Sequence, residues 1–383
     1  MTKKLLPTLI GVALAGGMAA AQADVTVFGH IDQSIVNQKS YTFNPADGRV
    51  KGTYDNNFVC TTCSIGFKGS EDLGNGLKAI FSIDFQYNMN ARNNGKVSQS
   101  KQNGFVTTPN GSVTAPVVTN VSGSGDSITD RDQWLGLAGN FGQVRVGTIS
   151  TSYKSHGALL DPGYRTVAQM RDWGMQSFMH NGAGEDGEGR ATNTARYDSP
   201  NWNGLKVTAH YTLDQDPNDA NGDNNPYGGG VEYSNGGLLV FADYVTTDRG
   251  GNDEAYKAGA KYTMNNFAVF GQYEVDDGLI SQLTPYLAAV GSTKGADVWM
   301  LGGSYTMGNN TIYAAYANGE NADNTTNPNF GNSVDTSYEA YEVVGIHSLS
   351  KQTLAYLGYG FQDFDGSNSP DPEAWVMGMK HKF

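Results

Sequence analysis

Cys60 and Cys63, in the stretch "CTTC", are the only two cysteines in 383 residues. A C-x-x-C pair can be a disulfide, a redox couple or half of a zinc site. Haem attachment is excluded because Ser64 stands where that motif needs His, and no second pair completes a zinc site. Other patterns carry less. "GAGEDG", residues 182–187, matches G-x-G-x-x-G, but no apolar strand precedes it and acids lie where a pyrophosphate would sit. "DQDPNDANGDNN", residues 214–225, has the composition of a calcium loop, yet Asp219 occupies the slot of the turn-forming glycine and no closing Glu follows. The six histidines are scattered singly, so no hydrolytic triad assembles. The chain is not read as an enzyme, and neither metal nor cofactor is expected.

The elements that would position any site begin with an export leader. Lys3 and Lys4 precede "LLPTLIGVALAGGMAAA" and then "AQA", which places a cleavage after Ala23 and makes residues 1–23 a signal peptide. An anchor in its place is disfavoured by Pro7, Gly16 and Gly17 and by an apolar run too short to span. Loss of Lys3 and Lys4 takes the formal charge from −13 to −15, so nucleic acid is not an expected partner. In an oxidising envelope Cys60 and Cys63 read as a local disulfide, placed at the mouth end of the second strand where it would stiffen the end of the first loop.

Residues 24–383 show a period of two almost throughout. In "LKAIFSIDFQY", Leu77, Ala79, Phe81, Ile83, Phe85 and Tyr87 share one face, while Lys78, Ser82, Asp84 and Gln86 share the other. Such runs, about ten residues each, suit strands tilted across a bilayer. They start near Val25, Cys60, Leu77, Arg131, Gln143, Ala191, Gly204, Pro226, Gly236, Asp253, Asn266, Ala296, Asn310, Tyr338, Gln352 and Glu373. Short turns such as "GNFG", "SNGG" and "MGNN" alternate with long polar loops. The fold class expected is all-β: a transmembrane antiparallel barrel of about 16 strands. A secreted sandwich or propeller would also alternate, but its apolar faces would be buried against each other. Here the face opposite the apolar one carries Lys, Asp, Gln, Thr and His, which buried without partners would cost several kcal/mol each and which a water-filled interior satisfies.

The ordered segments "DVTVFGHID", "IGFKGSEDLGNGLKAIFSIDF", "WLGLAGNFGQVRVG", "TARYDSPNWNGLKVTAHY", "SLSKQTLAYLGYGF" and "MKHKF" resemble the Gram-negative general porins, trimeric barrels of sixteen strands. The resemblance covers the whole exported chain. It implies an outer-membrane homotrimer that passes small hydrophilic solutes and ions, is surrounded by outer-membrane lipid and lipopolysaccharide, and has a terminal Phe383 read by the barrel-assembly machinery. It also implies a third extracellular loop folded inward as a constriction, here residues 149–190. That loop carries Asp161, Asp172, Glu185, Asp186 and Glu188. Facing it, the resemblance expects basic wall residues, and by alternation Lys68, Lys78, Arg145, Arg196 and Lys206 point inward, with Arg190 and Arg196 matching the family stretch best. Two positions often Arg in the family are Ser64 and Thr148 here. Five loop acids against a depleted wall imply a mild preference for cations. The alternatives are a substrate-selective channel of similar architecture, or a barrel acting as an adhesin or as a sheath for a redox partner.

Overall fold

The computed structural model describes residues 24–44, 49–90, 106–108, 111–113, 128–176, 189–213, 225–247, 253–276, 296–321, 337–365 and 371–383. The leader, the acids Glu185, Asp186 and Glu188, most of the loop 88–130 and most of the segment 214–225 lie outside these residues. The strands are β1 (Asp24–Asn44), β2 in two runs (Arg49–Cys60 and Ser64–Gly74), β3 (Leu77–Tyr87), β4 (Ile128–Gly139), β5 (Gly142–Ser150), β6 (Arg190–Asp198), β7 (Leu205–Thr212) and β8 (Tyr227–Asn235). They continue as β9 (Leu238–Thr247), β10 (Asp253–Met264), β11 (Phe267–Asp276), β12 (Ala296–Met307), β13 (Asn310–Asn321), β14 (Tyr338–Ser348), β15 (Thr353–Phe364) and β16 (Glu373–Lys382).

Each strand pairs antiparallel with the next, and β16 pairs with β1 from His30 opposite Lys382 to Gln38 opposite Ala374. The sheet therefore closes as a sixteen-strand antiparallel barrel with no free edge, the arrangement that lets strands satisfy their backbone in lipid. Phe383 completes the seam, because its N–H and carbonyl exchange hydrogen bonds with Gly29 at 3.1 and 3.0 Å. Its ring lies over Gly29, on the outward row of Trp375, Met377 and Met379.

The alternation read from the sequence sets which side chain meets lipid. In β14, Tyr338, Ala340, Glu342 and Val344 are buried inward, while Tyr341 and Val343 are exposed on the outer wall. Aromatic side chains gather in two outward rows, as interfacial girdles require. The row toward the long loops runs through Tyr211, Tyr227, Tyr244, Tyr256, Tyr273, Trp299, Tyr316, Tyr341, Tyr359 and Trp375, largely as cross-strand neighbours. Its hydroxyls donate to carboxylates at that rim, Tyr359 to Glu373 and Tyr273 to Asp297 at 2.7 Å each.

Strand β2 departs from the expected start near Cys60. It begins at Arg49, and its two runs face β1 in one antiparallel order, with Gln33 opposite Cys60 and His30 opposite Ser64. Residues 61–63 break the ladder, with Thr62 at φ 50. Cys60 and Cys63 are joined by a disulfide across this break. Tyr87 N–H donates to the Cys63 carbonyl, so the bridge is level with the loop-side end of β3. The hairpin β1–β2 continues beyond it, so the bridge closes an irregularity inside a long strand and is not the end of a loop.

Candidate pore constriction

The chain leaves β5 at Ser150 and turns into the barrel. Thr151 caps the short helix α1 (Ser152–Gly157), its side chain accepting the Lys154 N–H. Inward groups of three consecutive strands hold α1. His156 Nδ1 lies 3.1 Å from Asp243 Oδ2 on β9, the Lys257 ammonium of β10 donates to the Tyr153 carbonyl and covers its ring at 4.2 Å, and the Tyr153 hydroxyl donates to Glu274 of β11 at 3.0 Å. The loop then crosses to β13–β16. Tyr313 and Tyr338 donate to the carbonyls of Ala168 and Gly174 at 2.5 Å, and Lys380 donates to the Tyr164 carbonyl at 2.6 Å. Val167 N–H reaches the Tyr356 hydroxyl at 3.4 Å, which itself donates to Asp32 of β1 at 2.9 Å.

Apolar burial supplies the rest. Leu160, Ala168, Met170, Trp173 and Met175 pack on Phe241, Phe270, Val344 and Val376 of the inner wall. This face of the lumen is thus oily where the loop covers it, although period-two reading expects a polar interior throughout. Trp173 lies over Gly360, where an added Cβ would run into the indole. Gly174 ends the turn Met170–Trp173 at φ 72, a conformation that Gly adopts without steric cost.

The acids of this loop divide into two kinds. Asp161 is 7% exposed, and its two oxygens accept the backbone N–H groups of Gly163 at 2.8 Å and Met170 at 3.1 Å. It fastens the loop to itself, and burial pushes its carboxyl up to about 7, against the pull of Arg171. Asp172 is reached by water in the lumen and accepts from Gln169 Nε2 at 2.8 Å. The surrounding barrel still desolvates it, so its carboxyl is pushed up to about 6.

Basic groups gather on strands β4–β6 and on the loop itself. Arg131 is bound to Asp84 at 2.9 Å and Gln86 at 2.7 Å, and Arg190 to Asp132 at 2.9 Å. Arg145 and Arg196 share Asp198 at 2.5 and 2.6 Å. From the loop, Arg165 and Arg171 stand 5.6 and 5.4 Å from the centre of the Tyr164 ring. Burial would raise the Tyr164 hydroxyl, but Arg165 and Arg171 outweigh it and hold it below the usual value. Lys154 is held well below the usual amine range, first by burial and then by Arg190, Arg171 and Arg131.

Of the expected basic wall, Arg145, Arg190 and Arg196 come together here. Lys68 and Lys78 do not. Lys68 stands 5.3 Å over Phe28, toward the short-turn end of β2, and Lys78 is the second residue of β3, paired with Asp72 beside that turn. Lys206 bridges to Glu232 at 3.2 Å. Ser64 points inward, 3.2 Å from His30 Nδ1, whereas Thr148 shares the parity of the outward Val144 and Val146. Strict alternation misses Arg131. Leu135 and Leu137 are outward, which would put Arg131 outward as well, but a register shift between Ile83 and Phe85 re-aims it onto Asp84. A second shift between Gly147 and Ile149 adjoins Arg190. Bulges commonly redirect side chains in this way beside functional sites, and nothing in a period-two pattern announces them.

The sequence matches the Gram-negative porin family over residues 8–367. It is 26% identical to the major outer membrane protein P.IB of Neisseria meningitidis serogroup A, across 98% of this chain and 99% of that one. With P.IB of serogroup B the identity is 28%, but over 61% of this chain and only 56% of the relative. Among solved structures the fold is similar to the anion-selective porin from Comamonas acidovorans, with a TM-score of 0.64, 21% identity and coverage of 94% and 100%. It is also similar to OmpF of Salmonella typhi in complex with daunomycin, with a TM-score of 0.66, 16% identity and coverage of 94% and 97%. A closed barrel with an inward loop, a family match along nearly the whole chain and full-length similarity to an outer membrane protein lead to one conclusion: this chain is a β-barrel protein of the outer membrane and belongs to the Gram-negative porin family.

Proposed function

We propose that the barrel is a water-filled channel for passive diffusion of small hydrophilic solutes and ions, and that its opening favours anions weakly. One observation carries the sign. The Asp161 carboxylate is engaged by the loop backbone, while the loop's Arg165 and Arg171 stand beside Tyr164, next to Arg131 and Arg190, whose charge Asp84 and Asp132 offset. Guanidinium groups remain charged at any working pH, whereas enclosed carboxyls do not. The cation preference expected from the sequence therefore lacks support in this geometry. The similar fold named as an anion-selective porin is in keeping with this reading. Screening over about 8 Å at physiological ionic strength keeps the preference small. A zero-current potential in a KCl gradient tests it: Cl⁻ should be favoured over K⁺, more strongly at low salt, and a potential of the opposite sign would overturn the assignment.

The working unit is a trimer, joined through the outer wall of β1–β3. On β2 the outward row carries the exposed Phe58 and Phe67 on either side of Ile65, and on β3 the half-buried Phe81 and Phe85 flank Ile83. Large apolar rings on neighbouring strands suit close packing against another barrel. A trimer form of OmpT from Vibrio cholerae shares the fold. Lipopolysaccharide would surround the loop-side rim, and the exposed Phe383 would be presented to the barrel-assembly machinery.

A further inference from the structure

The lipid-facing wall over β12–β16 has a recess near its short-turn rim. Gly345 and Ala355 form its floor, and Ile312, Leu357, Met377 and Tyr305 its sides, enclosing about 470 Å³. Its dimensions fall within the ~300–1,000 Å³ of ordinary ligand pockets. The floor exists because Gly345 lacks a side chain: an added Cβ would meet nothing nearer than the Leu357 carbonyl oxygen at 4.0 Å.

The rim end of the recess is polar and carries no acid. His347 lies there with Nδ1 2.8 Å from Asn310 Oδ1, and two strands away on β16 His381 Nδ1 lies 2.9 Å from the Thr353 hydroxyl. The turns that close β12–β13 and β14–β15, residues 308–309 and 349–352, contain Lys351 and no Asp or Glu. The carboxylate here is the chain terminus, where the Phe383 carbonyl oxygen already accepts the Gly29 N–H. The opposite rim of the same wall carries Asp297, Glu339 and Glu373 beside its tyrosines. Over β12–β16 the outer wall is therefore acidic at the loop end and neutral to basic at the turn end.

We propose that this recess is a binding site for one anionic glycerophospholipid of the inner leaflet. One acyl chain lies along the Gly345 and Ala355 floor, and the phosphate sits among Lys351, His347 and His381. A second copy of this chain fits less well. The recess lies on β12–β16, away from the β1–β3 wall proposed as the subunit contact.

Purified protein would be reconstituted in nanodiscs containing phosphatidylglycerol or phosphatidylcholine, extracted into detergent, and weighed by native mass spectrometry. Wild type should keep one phospholipid per chain, with phosphatidylglycerol retained roughly five-fold better, the scale expected for one lysine at a charged lipid surface. Gly345→Leu fills the recess without touching the sheet and should abolish retention, as should Ala355→Leu, with heat-modifiable gel migration confirming that each barrel has folded. Lys351→Gln should keep the lipid but lose the headgroup preference. Equal retention by wild type and Gly345→Leu would overturn the proposal. So would a wild type without lipid whose trimer is lost in Gly345→Leu, because that result assigns the recess to a neighbouring subunit.

Discussion

Asp172 and Asp161 differ in what their charge can reach, and this separates two measurements. Both carboxyls are raised, to about 6 and about 7, so each is protonated below its value and becomes anionic as pH climbs through it. Added negative charge opposes the arginines. Anion preference should therefore be largest near pH 5 and decline toward pH 8, as read from zero-current potentials at fixed salt. Asp172→Asn should remove the portion of that decline centred near pH 6. Asp161→Asn should act otherwise, because an amide can accept from only one of the Gly163 and Met170 N–H groups and leaves the other unpaired. That loss is worth about 1–3 kcal/mol and should appear as open-channel noise in single-channel records. Arg165→Gln should shift the potential toward K⁺ by several millivolts in dilute salt, with the barrel ladder unaltered, since Arg165 lies on the loop and its partner there is the neighbouring Tyr164.

At the scale of elements, the inward loop is held by a few tyrosine hydroxyls and one apolar cluster, both of which can be removed without touching the barrel ladder. Tyr313→Phe with Tyr338→Phe deletes the two bonds to Ala168 and Gly174. Each neutral hydrogen bond contributes about 1 kcal/mol, so the double variant should show frequent brief changes of conductance while its strand content by circular dichroism stays that of the wild type. Gly360→Ala forces Trp173 off its seat and should alter the mean conductance in the same direction as deletion of the indole by Trp173→Ala. The disulfide is a different kind of device. It closes a loop of only four residues, so chain-entropy reasoning gives it on the order of 2 kcal/mol. Cys60→Ser with Cys63→Ser should lower the unfolding temperature slightly and leave the trimer intact.

For the whole molecule, the proposed subunit contact on β1–β3 can be set against the wall on the far side of the barrel. Phe67→Asp places a charge on the outer wall opposite Ile83, where lipid or a neighbouring barrel must desolvate it. If β1–β3 form the subunit contact, that variant should migrate as a monomer on unboiled gels, while Leu301→Asp on β12 should remain a trimer if it inserts. Equal trimer yield from both would remove the proposed contact.

The barrel itself was legible in the sequence because a period of two is a local property. Each of the sixteen strands announces its lipid face within its own ten or so residues, as Leu77 to Tyr87 does, and the short turns mark one rim. Phe383 could be placed at the seam for the same reason, since it continues the outward row of Trp375, Met377 and Met379. The site was legible only as a segment. Sequence located the loop between residues 149 and 190 and named its charges, but it counted Asp161 as facing ions and left Arg131 out of the wall. Those two outcomes depend on backbone groups and register shifts contributed by chain far away in sequence. The Asp161 oxygens are claimed by the Met170 N–H once the loop turns back, and Arg131 is turned inward by a slip against β3, 47 residues earlier, at Asp84. Which inner wall is apolar was likewise decided only by closure of the barrel, because Phe241, Phe270 and Val344 need the loop lying over them before their inward rows make sense as a core. Periodicity determines what each strand shows to lipid; only three-dimensional contact determines which charges are left to face the pore.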